Sequence, residues 1–100
     1  MAKKKRASSR AVIGLLDVLG RRWALRILWE LRDGPLTFRA LRAASGNLSP
    51  TVLNARLGEL RQAGMVEQTE SGYAMSVAGL ELAPTLLALN EWAERNRRLL

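Results

Sequence analysis

The sequence predicts a mostly α-helical domain with one small β-hairpin, on three observations. Apolar residues recur at helical spacing through most of the chain. Thr37, Ser49 and Ser76 stand where such stretches begin, as helix caps do. Residues 65–76 alternate instead, around Glu70-Ser71-Gly72, the signal of a tight hairpin. One hundred residues suit a single domain. A chain of that length buries only roughly 60 to 65% of its unfolded surface, so burial against a second copy would add stability and a homodimer is expected.

Residues 1–10 (MAKKKRASSR) carry charge and have nothing to bury, which predicts a tail disordered in isolation. It is either a solvated tail or a basic arm that adds phosphate contacts or reaches a minor groove. Residues 11–100 form the folded domain. Val12, Ile13, Leu15, Leu16, Val18 and Leu19 make a short first helix whose apolar surface is too wide for one neighbour. A second helix over residues 22–33 is stopped by Gly34-Pro35. Trp23, Ala24, Ile27, Leu28 and Leu31 share its broad face, with Leu25 and Trp29 on another, and the two Trp suit core packing better than a ligand pocket.

Leu36 and Thr37 are extended after Pro35, and Thr37 caps a short helix over 38–44 with Phe38 and Leu41 inward. Ser45-Gly46-Asn47 makes a turn. Ser49 then caps a helix over 50–63, Pro50 supplies the φ wanted at its first position, Leu48 can staple onto Leu53, and Gly64 ends it. Strands over 65–69 and 73–76 follow. The last helix starts at the Ser76 cap and runs toward Leu100, with Pro84 expected to kink or split it because the amide it lacks would have bonded to Leu80. Its stripe of Leu82, Leu86, Leu89 and Trp92 suits the first helix, a second subunit, or both.

The absence of Cys and His removes thiol redox chemistry, disulfides, zinc fingers and imidazole catalysis together. Five Glu after residue 61 are dispersed with no second catalytic group beside them, so neither an enzyme nor a cofactor or metal is expected. Lys3 to Arg6 followed by an apolar run imitates a secretory leader. Asp17 inside that run, no small-residue cleavage site after it and Arg21-Arg22 closing it argue for a cytoplasmic protein, and the run is too short to span a bilayer.

The formal charge of +7 is uneven: residues 1–61 hold thirteen Lys/Arg against four acids, residues 62–100 three Arg against five Glu. A polyanion suits the basic half, since neutralised phosphates release counterions. That half contains helix, turn and capped helix, followed directly by a hairpin, the outline of a winged helix-turn-helix that sets a helix in the major groove of double-stranded DNA. Opposite the stripe of Leu53, Leu57 and Leu60 lie Thr51, Asn54, Ala55, Gly58 and Gln62, small and uncharged where an ordinary solvent face carries Glu/Lys pairs. Ser49, Thr51, Asn54 and Ala55 are the groove candidates; Arg39, Arg42, Arg56 and Arg61 are the phosphate candidates. Arg56 flanks the apolar stripe and equally suits a bridge to an acidic neighbour within the domain.

The blocks LDVLGRRWALRIL (16–28), DGPLTFRALR (33–42), LSPTVLNARLGELRQAGMVE (48–67), YAMSVAG (73–79) and LAPTLLALNEWA (82–93), in this order, resemble the HxlR-type winged-helix transcriptional regulators of bacteria, a branch near the MarR-like proteins. The resemblance implies a homodimer joined by its first and last helices. It also implies two recognition helices entering successive major grooves of a pseudo-palindromic operator, with transcription controlled at the promoter. Several family members sense oxidants through a Cys near the start of the first helix; the corresponding stretch, Ala11 to Gly14, has none. Family wings are usually longer and carry a basic residue, whereas no Lys or Arg occurs here between Arg61 and Arg95. Wing contact with phosphates is therefore expected to be weak or absent. The family often places longer side chains where Ala55 and Gly58 stand, which leaves base readout mainly to Thr51 and Asn54. A small-molecule effector has no polar cluster to mark its pocket.

Overall fold

A computed structural model describes the backbone of residues 2–100 and the side-chain surroundings of residues 10–100. The chain runs α1 (Ala2–Leu19), α2 (Ala24–Glu30), α3 (Phe38–Ala44), α4 (Pro50–Gln62), β1 (Val66–Thr69), β2 (Gly72–Met75) and α5 (Val77–Arg95), closing with a single 3-10 turn at Arg97–Leu99. The two strands pair antiparallel, Val66 with Met75 through Thr69 with Gly72, so the turn proper is Glu70-Ser71 and Gly72 belongs to the strand. The extended segment after Pro35 joins them: Leu36 and Tyr73 exchange backbone hydrogen bonds of 2.9 and 2.8 Å. Gly72, at φ 119, lies so close to the Leu36 carbonyl that a Cβ would collide with it.

One core holds the elements together. Ala24, Ile27, Leu28 and Leu31 of the α2 region, Leu41 of α3 and Leu53, Leu57 and Leu60 of α4 are all at most 1% exposed, with Leu48, Val66, Met75 and Leu86 closing around them. α2 lies at the centre, packing on α1, α3 and α5, while α5 also packs on β2. Each expected cap forms: Thr37, Ser49 and Ser76 accept from the amides of Ala40, Val52 and Gly79 at 3.1, 3.2 and 3.1 Å. The Ser76 hydroxyl also donates to the Gly64 carbonyl, tying the end of α4 to the start of α5. Gly79 is buried where a Cβ would strike the Met65 carbonyl oxygen.

The terminal and second helices differ most from the sequence reading. α2 is shorter than residues 22–33, because Trp23 takes the left-handed conformation at φ 79 to turn the chain out of α1, and Arg32 and Gly34 close three-residue turns onto Trp29 and Leu31 instead of continuing the helix. Of the kink or split expected at Pro84, the split does not occur: α5 runs through it as one helix. Only the Leu80 carbonyl loses a donor there, and Leu80 is half exposed at the surface. α1 begins at Ala2 rather than near residue 11. The side chains of the basic tail expected over residues 1–10 lie outside the described residues up to residue 9; Arg10 is exposed on α1. Within the single chain α1 packs mainly on α2: Leu19 is buried, Leu15 and Val18 are partly covered, and Val12, Ile13 and Leu16 remain exposed.

Candidate nucleic-acid interface

α4 is sorted into three stripes by residue spacing. Leu53, Leu57 and Leu60 are buried; Val52, Arg56 and Glu59 are half-buried along one flank; Thr51, Asn54, Ala55, Gly58, Arg61 and Gln62 are exposed. Its start is rigid. Ser49 caps it, Pro50 holds the first position, and no acidic residue occupies the first turn, so the positive end of the helix dipole is left unneutralised. Leu48, the staple candidate, is 7% exposed in the same core as Leu53. Gly58 has open space where a Cβ would sit, so packing does not require glycine there. A helix interior ordinarily disfavours glycine by about 1 kcal/mol relative to alanine.

The turn between α3 and α4 is fixed by backbone and by one arginine. Gly46 and Asn47 take left-handed φ values of 76 and 57, and their amides bond back to Ala43 and Arg42. The Arg42 side chain is half-buried, with Nε donating to the Leu48 carbonyl at 2.7 Å. Arg26 braces the same turn from α2, bonding Glu30 at 2.8 Å and the Ala44 carbonyl at 2.8 Å.

The candidate residues therefore separate. Ser49, Thr51, Asn54, Ala55, Arg39 and Arg61 are exposed around the helix-turn-helix, and Arg39 and Arg61 form no ion pair among the described residues. Arg42 and Arg56 have internal partners. Arg56 Nε donates to the Arg22 carbonyl at 2.9 Å and its NH1 bonds both Glu59 oxygens at 3.1 Å. Arg26 and Glu59 were not singled out by the sequence reading, although Arg26/Glu30 and Arg56/Glu59 have the i,i+4 and i,i+3 spacings of helix ion pairs. The hairpin exposes Glu67, Gln68, Thr69, Glu70 and Ser71, a wing with negative charge and no cation.

A capped helix presented by a braced turn, with a hairpin following it, defines a winged helix-turn-helix DNA-binding protein of the transcription-regulator class. Residues 18–99 match the family model described as HxlR-like helix-turn-helix, and the chain belongs to that family. It is 34% identical over 85 residues to the HTH-type transcriptional regulator YvaP of Bacillus subtilis, covering 78% of this chain and 79% of YvaP. Its fold is similar to the redox regulator HypR in its reduced form, with TM-score 0.80 and 27% identity over 89% of this chain and 95% of HypR. It is also similar to quinone-bound YodB from B. subtilis, with TM-score 0.78 and 28% identity over 86% of this chain and 98% of YodB.

Proposed function

We propose that this regulator is a homodimeric repressor that binds a pseudo-palindromic operator through residues 49–63. The observation that carries the reading is the exposed face of α4, where Thr51, Asn54, Ala55 and Gly58 serve no packing role and present a low, uncharged surface to an approaching groove. Asn54 would read adenine and Thr51 a thymine methyl, while Arg39 and Arg61 hold phosphates. Arg42 and Arg56 are assigned to holding the frame instead, since their guanidinium groups already have partners.

Dimerisation is supported by the apolar side chains the two terminal helices leave uncovered: Val12, Ile13 and Leu16 on α1, and Leu80, Leu87, Leu89 and Trp92 on α5. The groove of about 280 Å³ between Leu25, Trp29, Leu86 and Leu89, rimmed by Arg26 and Asn90, continues that apolar surface. Two-fold symmetry then requires half-sites about one helical turn apart, roughly 34 to 36 Å. As a repressor it would act by excluding polymerase from the promoter DNA it occupies. The redox and quinone chemistry named for HypR and YodB has no thiol to act on in these 100 residues.

Selection of bound sites from random DNA tests the reading, with an inverted repeat as the expected result. With about eight phosphates neutralised per dimer, log K falls with log salt at a slope near −7. Asn54→Ala lowers discrimination between selected and random duplex by roughly 1 to 3 kcal/mol, whereas Arg39→Ala weakens both alike. A slope near zero, together with capture of a related regulator as a heterodimer, would favour a protein-interaction module, the alternative that the acidic wing supports.

A further inference from the structure

We propose that Arg56 and Glu59 are positioning residues that latch α4 to the corner between α1 and α2, and thereby set the separation at which the dimer presents its two recognition helices. This rests on the operator-binding reading above. Arg56 reaches across the fold to the Arg22 carbonyl, and Glu59 receives Arg56 on one side and the Arg21 guanidinium, at 3.7 Å, on the other. One pair of neighbouring side chains on α4 thus holds two consecutive residues of the corner.

The corner needs holding. Trp23 follows directly at φ 79, a conformation costing a non-glycine residue about 1–2 kcal/mol. It accepts from the Ile27 amide at 2.9 Å and lies under the Arg22 guanidinium, 5.3 Å from its ring centre. The apolar core that seats α4 stops short of this corner, where a cleft of about 290 Å³ opens between Asp17, Val18, Arg21, Glu59, Gln62 and Ala63. α1 packs mainly on α2, and α4 mainly on β1. The polar bridge thus ties the helix proposed to enter the groove to the corner that follows the helix proposed to carry the dimer contact. The Arg56 side chain is only 21% exposed and its Nε and NH1 are engaged within the chain, which suits it to hold the angle of α4 rather than a phosphate.

Spacing is the readout. Inserting one base pair between half-sites turns one of them by about 35° about the duplex axis, which a rigid dimer cannot follow. Binding of the full chain is measured on its selected duplex and on duplexes with one base pair added or removed. The wild-type protein should lose about tenfold or more in affinity per step, and Arg56→Lys and Glu59→Gln should lose less than about threefold while keeping the salt slope. Arg56→Lys retains the charge and gives up the fork, so a phosphate ligand would survive it and a latch would not. Thermal unfolding by circular dichroism accompanies each variant; if Arg56→Lys does not fold, Glu59→Gln decides. Unchanged spacing preference in a folded variant, or a salt slope reduced by about 2 per dimer in Arg56→Ala, overturns the latch alone. Failure of the wild-type protein to select any inverted repeat overturns the operator reading and the latch's role with it.

Discussion

α4 and α5 are both helices of the same small domain, both opened by a serine cap, yet they reach the surface with opposite chemistry. α4 buries all three of its leucines and half-buries Val52, and its outer face is mostly polar and low. α5 buries only Gly79 and Leu86, and leaves Leu89 and Trp92 about half exposed at 53% and 47%. Burial of apolar area is worth about 25 cal/mol per Å², so the α5 face holds free energy that the single chain does not use. The difference teaches that α4 is finished within the monomer and α5 is not. In the proposed reading, one faces a hydrated, charged duplex and the other a second apolar surface.

Breaking the α5 side should have the largest effect. Leu89→Glu places a charge on the uncovered stripe, and sedimentation equilibrium is expected to show the dimer weakened at least about a hundredfold, or about 3 kcal/mol, while the monomer keeps its helical circular dichroism. An unchanged dimer would move the interface elsewhere. Gly79→Ala probes the inner face of the same helix. The added methyl meets the Met65 carbonyl, so unfolding by denaturant should register a loss of about 1–3 kcal/mol.

Gly58→Ala sharpens the comparison from the α4 side with a smaller change of opposite sign. The methyl meets nothing within the chain, so the midpoint of thermal unfolding should rise by the equivalent of about 1 kcal/mol. Affinity for the selected duplex should fall at the same time, because the new group stands on the face proposed to approach the bases. Higher stability with unchanged DNA affinity would show that the glycine has no part in groove approach.

Much of this was legible without coordinates. The caps at Thr37, Ser49 and Ser76, the stripe of Leu53, Leu57 and Leu60, the hairpin and the small outward face of α4 all depend on residues within about one helical turn or one strand pair of each other. Residue type and spacing therefore determine them. The composition likewise determined that thiol chemistry has no place in these residues.

Only the tertiary structure decided which arginines are already spoken for. Arg39 and Arg61 are exposed, while Arg42 is spent on the turn and Arg56 on a carbonyl 34 residues away. The left-handed Trp23, the unbroken helix through Pro84 and the choice of which apolar stripe stays uncovered belong to the same class. Each is settled by groups distant in sequence or by solvent access, and a pattern of neighbouring residue types carries no record of either.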